Sequence, residues 1–193
     1  CDLGGVTPSE CAARCADAIE QLILAQGPET VAAVIGEPIS AVAAAAVPGN
    51  EYWPQVRDIC DRYGVLLIVD EIICGFGRTG KMFASEHWGL EPDIMTVAKG
   101  IVSAYLPLAG TIVSEEVADY FGGEGNQFSY ALTFGGHSVP AAAALKNIDI
   151  LESENMVSNS AEMGKYLGDH LLELMGKHAV IGEVKGLGLM NGI

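Results

Sequence analysis

Short apolar runs alternate along this chain with longer stretches of helical spacing. Helical spacing covers residues 9–26 and 51–63, and Gly64 is placed to end the second helix in a left-handed turn. Four apolar runs have the length and residue types of buried strands: 31–36, 65–70, 94–98 and 110–113. Strands that alternate with helices in this way predict an α/β fold with a mostly parallel sheet.

The pattern changes near residue 138. From there the chain has helical spacing through residues 141–151 and again through 156–175. The final stretch, 184–193, predicts a strand that belongs to a new layer, and the alanine-rich stretch 41–50 predicts a loop. We therefore expect a linking helix near residue 138 that leads into a second, smaller domain.

The composition narrows the range of functions. Half of the 193 residues are apolar and 18% are charged, which supports a large buried core. The formal net charge of −15 would repel nucleic-acid phosphates and anionic lipids, so we expect neither a nucleic-acid partner nor a membrane partner. No apolar run reaches the length that a transmembrane helix requires. Five scattered cysteines, odd in number, predict reduced thiols in a cytoplasmic protein: Cys1, Cys11, Cys15, Cys60 and Cys74.

Residues 65–82 contain partial matches to nucleotide-binding motifs. A phosphate loop requires a hydroxyl side chain after its lysine, but Met82 follows Lys81 here. An ATPase would also place its acidic pair on a separate strand from its phosphate loop. A dinucleotide-binding turn requires a glycine directly after the strand, but four residues separate Asp70 from Gly75. We therefore reject both the ATPase and the dinucleotide-binding interpretation.

Two charged residues in the same region point to a different cofactor. Asp70 ends one apolar run, and Lys99 follows another. The carboxyl ends of parallel strands share one edge of a sheet, where α/β proteins bind ligands, and neighbouring strands lie about 4.8 Å apart. An acid and an amine can therefore face opposite ends of a small ring. Pyridoxal phosphate needs a lysine for a Schiff base and an aspartate beside its pyridinium nitrogen.

The segment DEIICGFGRTGKMFASEHWGLEPDIMTVAKG, residues 70–100, resembles the signature segment of the class III (omega) aminotransferases. Further segments resemble the family in the same order: VAAVIGEPI, YWPQVRDICDRYGVLLIVDE, YLPLAGTIVS, LTFGGHS and VKGLGLMNGI. The resemblance implies the α/β fold of the fold type I transferases that depend on pyridoxal phosphate. It implies that residues 1–137 form the second half of the large cofactor-binding domain. Residues 138–193 would form the linking helix and the start of the small C-terminal domain.

The resemblance also assigns roles to four residues. Lys99 matches the lysine that forms the Schiff base and then moves a proton between the amine carbon and the cofactor. Asp70 matches the carboxylate that keeps the ring nitrogen protonated, and Ile72 matches the aliphatic residue that packs on one ring face. Thr133 matches the hydroxyl that contacts the cofactor phosphate from the neighbouring subunit of a homodimer. No metal site is expected.

The activity implied by the resemblance is amino-group transfer. The donor would be a primary amine or an omega-amino acid, and the acceptor would be a 2-oxo acid, with pyruvate as the expected one. The alternatives are an aminomutase or decarboxylase on the same scaffold, or a non-catalytic member of the family.

Two further expectations concern the loop after Asp70 and the completeness of the site. Glu71 and Arg78 are expected to brace the loop after Asp70 by charge pairing. The family's main phosphate-binding turn, its ring-stacking aromatic residue and its carboxylate-binding arginine fall outside these 193 residues. We therefore expect the 193 residues alone to be incomplete as an enzyme and to leave one face of the sheet uncovered.

Overall fold

The main sheet carries Asp70 at the end of one strand, and Lys99 lies two residues after the end of the next. The computed structural model describes residues 6–193, and within them the sheet has the order β1-β2-β3-β4. The first three strands are parallel, and the fourth is antiparallel to the third. The strands are β1 Ala33–Gly36, β2 Leu66–Asp70, β3 Ile94–Val97 and β4 Gly110–Val113. The predicted α/β class is confirmed.

Along the described chain, one α-helix precedes β1, another lies between β1 and β2, and three more follow β4. Helix α1 begins with a capping box, in which Thr7 and Glu10 each accept a hydrogen bond from the other's backbone N–H. Helix α2 ends at Gly64, whose φ of 65° gives the expected left-handed turn. The sequence pattern did not predict α3, because six residues are too few to show a periodicity. The helices are α1 Pro8–Gln26, α2 Tyr52–Tyr63, α3 Glu115–Tyr120, α4 Ser138–Ser153 and α5 Met156–Lys177.

Helices α1 and α2 cover one face of the sheet. Side chains alternate along a strand, and Leu67 and Val69 of β2 lie fully buried on the covered face. Trp53 of α2 packs in the same core and donates a hydrogen bond from Nε1 to the Pro38 carbonyl at 3.1 Å. The alternate residues of β2, which include Asp70, therefore lie on the opposite face.

That opposite face is partly exposed. Ile35 is 63% exposed, Leu66 is 37% exposed and Val113 is 41% exposed. Register partners in neighbouring strands share a face, and the pairing of Ile35 with Ile68 and of Ile94 with Val113 places these residues on the Asp70 side. The expectation of an uncovered sheet face is met within the described residues.

A cluster around Asp93 fixes the start of β3 relative to β2. Asp93 Oδ2 accepts hydrogen bonds from Arg57 Nη1 of α2 at 2.8 Å and from the backbone N–H of Leu67 at 2.6 Å. The backbone N–H of Asp93 donates in turn to the Leu67 carbonyl at 3.0 Å. This cluster anchors the register that pairs Asp70 with Thr96.

The C-terminal residues form a hairpin rather than the single strand that the sequence predicted. Strands β5 Lys185–Leu187 and β6 Met190–Gly192 are antiparallel and turn at Gly188. The sequence pattern did not predict the turn, because glycines occur throughout this stretch and the one at the turn does not stand out. The hairpin packs against α5, where a Cβ at Gly164 would overlap the backbone of Gly188.

The expectation that the cysteines are reduced thiols holds for some of them and fails for one. Cys60 and Cys74 are buried free thiols, and burial raises the pKa of each to about 11. Cys11 is disulfide-bonded, so the prediction of reduced thiols is wrong there. Spacing along a chain does not show which sulfur atoms the fold brings together. The predicted thiol at Cys1 lies outside the described residues.

Across residues 6–193, the structure contains no helix with the length and apolar character needed to cross a bilayer.

Candidate active site

The structure brings the ends of the Asp70 and Lys99 strands to one edge of the sheet. Asp70 is the last residue of β2 and is in register with Thr96 of the parallel strand β3. Lys99 follows Thr96 by three residues and begins the 3-10 turn Lys99–Val102. This is the carboxyl edge of the parallel strands, where ligands bind in open α/β sheets.

The Asp70 carboxylate is held by one of its oxygens. Oδ1 accepts a hydrogen bond at 2.9 Å from the backbone N–H of Ile72, and the side chain is half-buried. Oδ2 has no hydrogen-bond partner among the described residues. One oxygen therefore fixes the orientation of the carboxylate, and the other remains able to accept a bond from a bound group.

Thr96 supplies a second polar atom beside Asp70. Its Oγ1 is buried and lacks a hydrogen-bond partner within residues 6–193. Leaving a buried hydroxyl unpaired costs on the order of 1–3 kcal/mol, so such atoms call for an explanation. Its register with Asp70 places it on the same face of the sheet, and a polar ligand at this edge would account for it.

Lys99 has a strained backbone and an exposed side chain. Its φ is 43°, in the left-handed region that residues with a Cβ seldom occupy. Such a conformation costs roughly 1–3 kcal/mol and persists only where the surroundings enforce it, often at functional sites. Within the described part of the chain, Lys99 forms no ion pair and its Nζ donates no hydrogen bond. Its amine is therefore accessible.

The turn that begins at Lys99 lies directly against the loop that follows Asp70. A Cβ added at Gly100 would come within 3.0 Å of Phe76 Cβ and 3.1 Å of the Gly75 carbonyl oxygen. A side chain at position 100 would push these two segments apart. The close backbone approach explains why glycine follows the lysine.

Glu71 braces the same loop, but not by charge pairing. Its side chain is fully buried, and its carboxylate accepts hydrogen bonds from the backbone N–H groups of Ala84 at 3.0 Å and Ser85 at 2.7 Å. Burial raises the pKa of Glu71, and the two backbone donors partly oppose that shift. The exposed Arg78 side chain forms no ion pair among the described residues. The charge-pairing expectation is therefore wrong, because it ignored the backbone donors.

Thr133 lies in a long exposed segment of the described structure. Every residue from 118 to 139 is exposed, and within residues 6–193 Thr133 forms no hydrogen bond with Asp70 or Lys99. The role implied by the resemblance concerns a second subunit, so the position of Thr133 within one chain does not test it.

The geometry agrees with the comparisons to known proteins. The family model of the class-III aminotransferases matches residues 5–193. The chain belongs to the class-III aminotransferases. This membership confirms the resemblance that the sequence motifs indicated. The members of the family are enzymes.

Several individual relatives are similar across almost the whole chain. A diaminobutyrate–2-oxoglutarate transaminase from Halomonas elongata is 43% identical over 98% of this chain and 41% of its own length. A taurine–pyruvate aminotransferase from Bilophila wadsworthia is 42% identical over 100% of this chain and 44% of its own length. The chain thus spans about two fifths of the length of these relatives.

Solved structures of class-III relatives have the same fold. An (S)-enantioselective omega-transaminase from Thermomicrobium roseum has a TM-score of 0.92 and 43% identity, and the match covers 97% of this chain and 42% of that one. An amine transaminase from an uncultivated Pseudomonas species, in its PLP-bound form, has a TM-score of 0.90 and 40% identity, with 94% and 42% covered. Family membership and the PLP-bound relative support pyridoxal phosphate as the cofactor.

Two polar residues near this edge were not identified from the sequence. Thr96 reads as an ordinary strand residue, and only its register with Asp70 makes it notable. Asn147 of α4 bonds to the turn after Lys99 from 48 positions further along the chain. A polar amide within the apolar stretch AAAALKNIDIL was the one available signal for it.

Proposed function

We propose that the protein containing this chain is an aminotransferase that moves an amino group from a primary amine or omega-amino acid to a 2-oxo acid. The observation that carries the proposal is the pair Asp70 and Lys99 at the carboxyl edge of neighbouring parallel strands. Pyruvate is the proposed acceptor, because relatives that this chain matches closely are a taurine–pyruvate aminotransferase and a putrescine–pyruvate aminotransferase of Pseudomonas aeruginosa.

The residues at this edge fit pyridoxal phosphate. Asp70 Oδ2 is an unpaired acceptor on an oriented carboxylate, Lys99 Nζ is an accessible amine, and Thr96 Oγ1 is a buried hydroxyl without a partner in residues 6–193. When bound, this cofactor supplies an electron sink for the bonds around the amine carbon. Lys99 would hold it covalently through Nζ, and Ile72 would pack on one face of its ring.

The two charged residues would divide the work of proton transfer. Asp70 Oδ2 would accept a hydrogen bond from the ring N–H and keep that nitrogen protonated, since a nearby anion favours a cation. Lys99 Nζ, once released by the incoming amine, would take a proton from the amine carbon and return it to the cofactor side. Asp70 ends β2 and Lys99 begins the turn after β3, so the backbone of each is positioned before substrate binds.

We further propose a homodimer with the active site at the subunit interface. In this arrangement Thr133 of one subunit contacts the cofactor phosphate held by the other. The exposure of large apolar side chains around Thr133 supports a covered surface there, since Phe128 is 67%, Tyr130 66% and Phe134 80% exposed. The boundary between the two domains at residue 138 and a cytoplasmic location stay predictions.

Chemical trapping of the cofactor tests the assignment of Lys99. Borohydride reduction of the full-length holoprotein should fix the cofactor on the peptide that contains Lys99, as read by mass spectrometry. Lys81 and Lys146 are the controls, because both are exposed and lie on neighbouring segments. Label on either of them in place of Lys99 would overturn the assignment.

An assay of amino transfer tests the activity itself. The full-length protein should convert pyruvate to alanine with one or more members of a panel of primary amines and omega-amino acids. Release of carbon dioxide without alanine would indicate a decarboxylase, and an isomerised amine without alanine would indicate an aminomutase. A protein that binds the cofactor on Lys99 but transforms no amine would support the non-catalytic alternative.

A further inference from the structure

Asn147 makes three hydrogen bonds to the turn that begins at Lys99. Its Nδ2 donates to the Gly100 carbonyl at 2.9 Å and to the Ile101 carbonyl at 3.2 Å. Its Oδ1 accepts from the Ser103 hydroxyl at 2.6 Å. Both N–H groups of the amide therefore have an acceptor. One side chain of α4 thus bonds to three of the four residues that follow the lysine.

This turn needs external support because its backbone is strained. Lys99, Ser103 and Ala104 all have positive φ angles, of 43°, 48° and 61°. Each such residue with a Cβ costs on the order of 1–3 kcal/mol. Three strained residues within six positions will relax unless other contacts hold them. The three bonds with Asn147 act on Gly100 and Ile101, between the strained positions, and on Ser103, which is itself strained.

The turn is held from a second side by the loop that follows Asp70. The close approach of Gly100 to Gly75 and Phe76 leaves no room for it to move toward that loop. Asn147 tethers the turn to α4 through its three hydrogen bonds. The turn that begins at Lys99 is thus held by two separate contacts, one with the loop after Asp70 and one with α4.

We propose that Asn147 is a positioning residue for Lys99, a role that rests on the proposed function. It does not reach the reacting atoms, and it acts by keeping the lysine's backbone in the left-handed conformation from which Nζ serves both cofactor attachment and proton transfer. The role requires an amide. Aspartate would keep the acceptor for Ser103 but would place a carboxylate oxygen against the Gly100 and Ile101 carbonyls.

A graded set of variants in the full-length protein tests this role. Asn147→Ala removes all three bonds, Asn147→Asp removes the two donated by the amide, and Ser103→Ala removes only one. Asn159→Ala is the matched control, because Asn159 is an exposed helical asparagine whose side chain has no hydrogen bond in the described residues. Both Asn→Ala changes share the same small gain in helix propensity.

Two measurements distinguish positioning from general structural support. The first is the rate at which the apoprotein takes up pyridoxal phosphate, followed by the absorbance of the bound cofactor. The second is kcat and KM for the amine and the 2-oxo acid. Small displacements of a catalytic group cost up to about 10²-fold, so Asn147→Ala and Asn147→Asp should each lose roughly 10- to 100-fold in uptake rate and in kcat. KM should stay unchanged, since Asn147 would touch neither substrate.

Ser103→Ala should lose less of the uptake rate and of kcat than the two Asn147 variants. Asn159→Ala should equal wild type in both. The proposal is overturned if Asn147→Ala and Asn147→Asp match Asn159→Ala in both measurements. It is also overturned if they differ only in the urea midpoint of unfolding. If Asn147→Ala does not fold, Asn147→Asp and Ser103→Ala decide the question. Failure of wild type to carry cofactor on Lys99 would instead refute the proposed function, which separates the two hypotheses.

Discussion

Asp70→Asn removes the charge of the proposed ring-nitrogen partner while preserving its shape. The amide oxygen of asparagine can still accept the 2.9 Å hydrogen bond that Ile72 N–H donates to Oδ1. The other oxygen becomes an NH₂ group, which donates where the carboxylate accepted. The substitution therefore leaves the strand end intact and removes only the acceptor that the ring nitrogen would use.

The size of the effect follows from the bond that is lost. A hydrogen bond to a charged group contributes about 1.5–3 kcal/mol. Each 1.4 kcal/mol, approximately, corresponds to a factor of ten in rate, so this bond alone predicts a loss of about 10- to 100-fold. A preorganised electrostatic group in an active site is worth on the order of 10²- to 10³-fold. We therefore expect kcat to fall by about 10²-fold or somewhat more.

The assay compares the amine half-reaction of Asp70→Asn with wild type in the full-length protein. Borohydride should still fix the cofactor on Lys99 in the variant, because Asp70 does not take part in the attachment. A cofactor analogue methylated at the ring nitrogen is permanently cationic and should restore part of the lost rate. Asp58→Asn is a suitable control, since Asp58 of α2 is exposed and its side chain forms no ion pair or hydrogen bond within the described residues.

One result would refute this reasoning. If Asp70→Asn reacts at the wild-type rate, Asp70 serves only to end its strand through the bond to Ile72. The acid that keeps the ring nitrogen protonated would then have to be sought elsewhere. A slow variant that the methylated analogue does not rescue would show instead that the loss came from altered geometry.

Two titratable side chains give further predictions that unfolding in urea can check. Glu71→Ala should destabilise the protein by about 2 kcal/mol or more at neutral pH, because it leaves two buried backbone donors, at Ala84 and Ser85, without an acceptor; an unchanged midpoint would contradict this. Because the pKa of Glu71 is raised from 4.5, its titration favours the folded state most below pH 4.5, and that contribution is lost as the pH rises through the raised pKa. Glu71→Gln should remove this pH-dependent part. Burial lowers the pKa of His87, whose Nε2 lies 3.1 Å from Thr79 Oγ1, so its contribution is full above pH 6.5 and is lost as the pH falls through the lowered pKa. His87→Gln should flatten the stability profile on that acid side, and an unchanged slope would count against the assignment.

The sequence predicted the strands and the site edge well because both depend on local patterns. Apolar runs of four to six residues identify buried parallel strands, and a charged residue directly after such a run must lie at its carboxyl end. Asp70 and Lys99 were found in this way. The bounds differ by one or two residues, as β1 shows by beginning at Ala33 rather than at residue 31.

Features that depend on contacts between distant residues could not be predicted. The antiparallel direction of β4 depends on how the chain returns after the turn at Lys99–Val102, and a run of four residues does not indicate the direction of its strand. Glu71 was assigned an ionic partner because charge is visible in a sequence. Its actual partners, the backbone N–H groups of Ala84 and Ser85, are present at nearly every position and so leave no signal.

The two candidate residues depend on different parts of the fold, and this difference has a consequence for reading related sequences. Asp70 is placed by strand register, which Asp93 of the signature segment fixes through a hydrogen bond from the backbone of Leu67, just before that segment. Lys99 lies in a strained turn that is held by Asn147, 48 residues away and outside that segment. A related chain could therefore keep every residue from 70 to 100 and still present its lysine poorly, if the amide in α4 were lost. The signature segment is enough to locate the site, but the arrangement of Lys99 depends on a helix that the signature does not include.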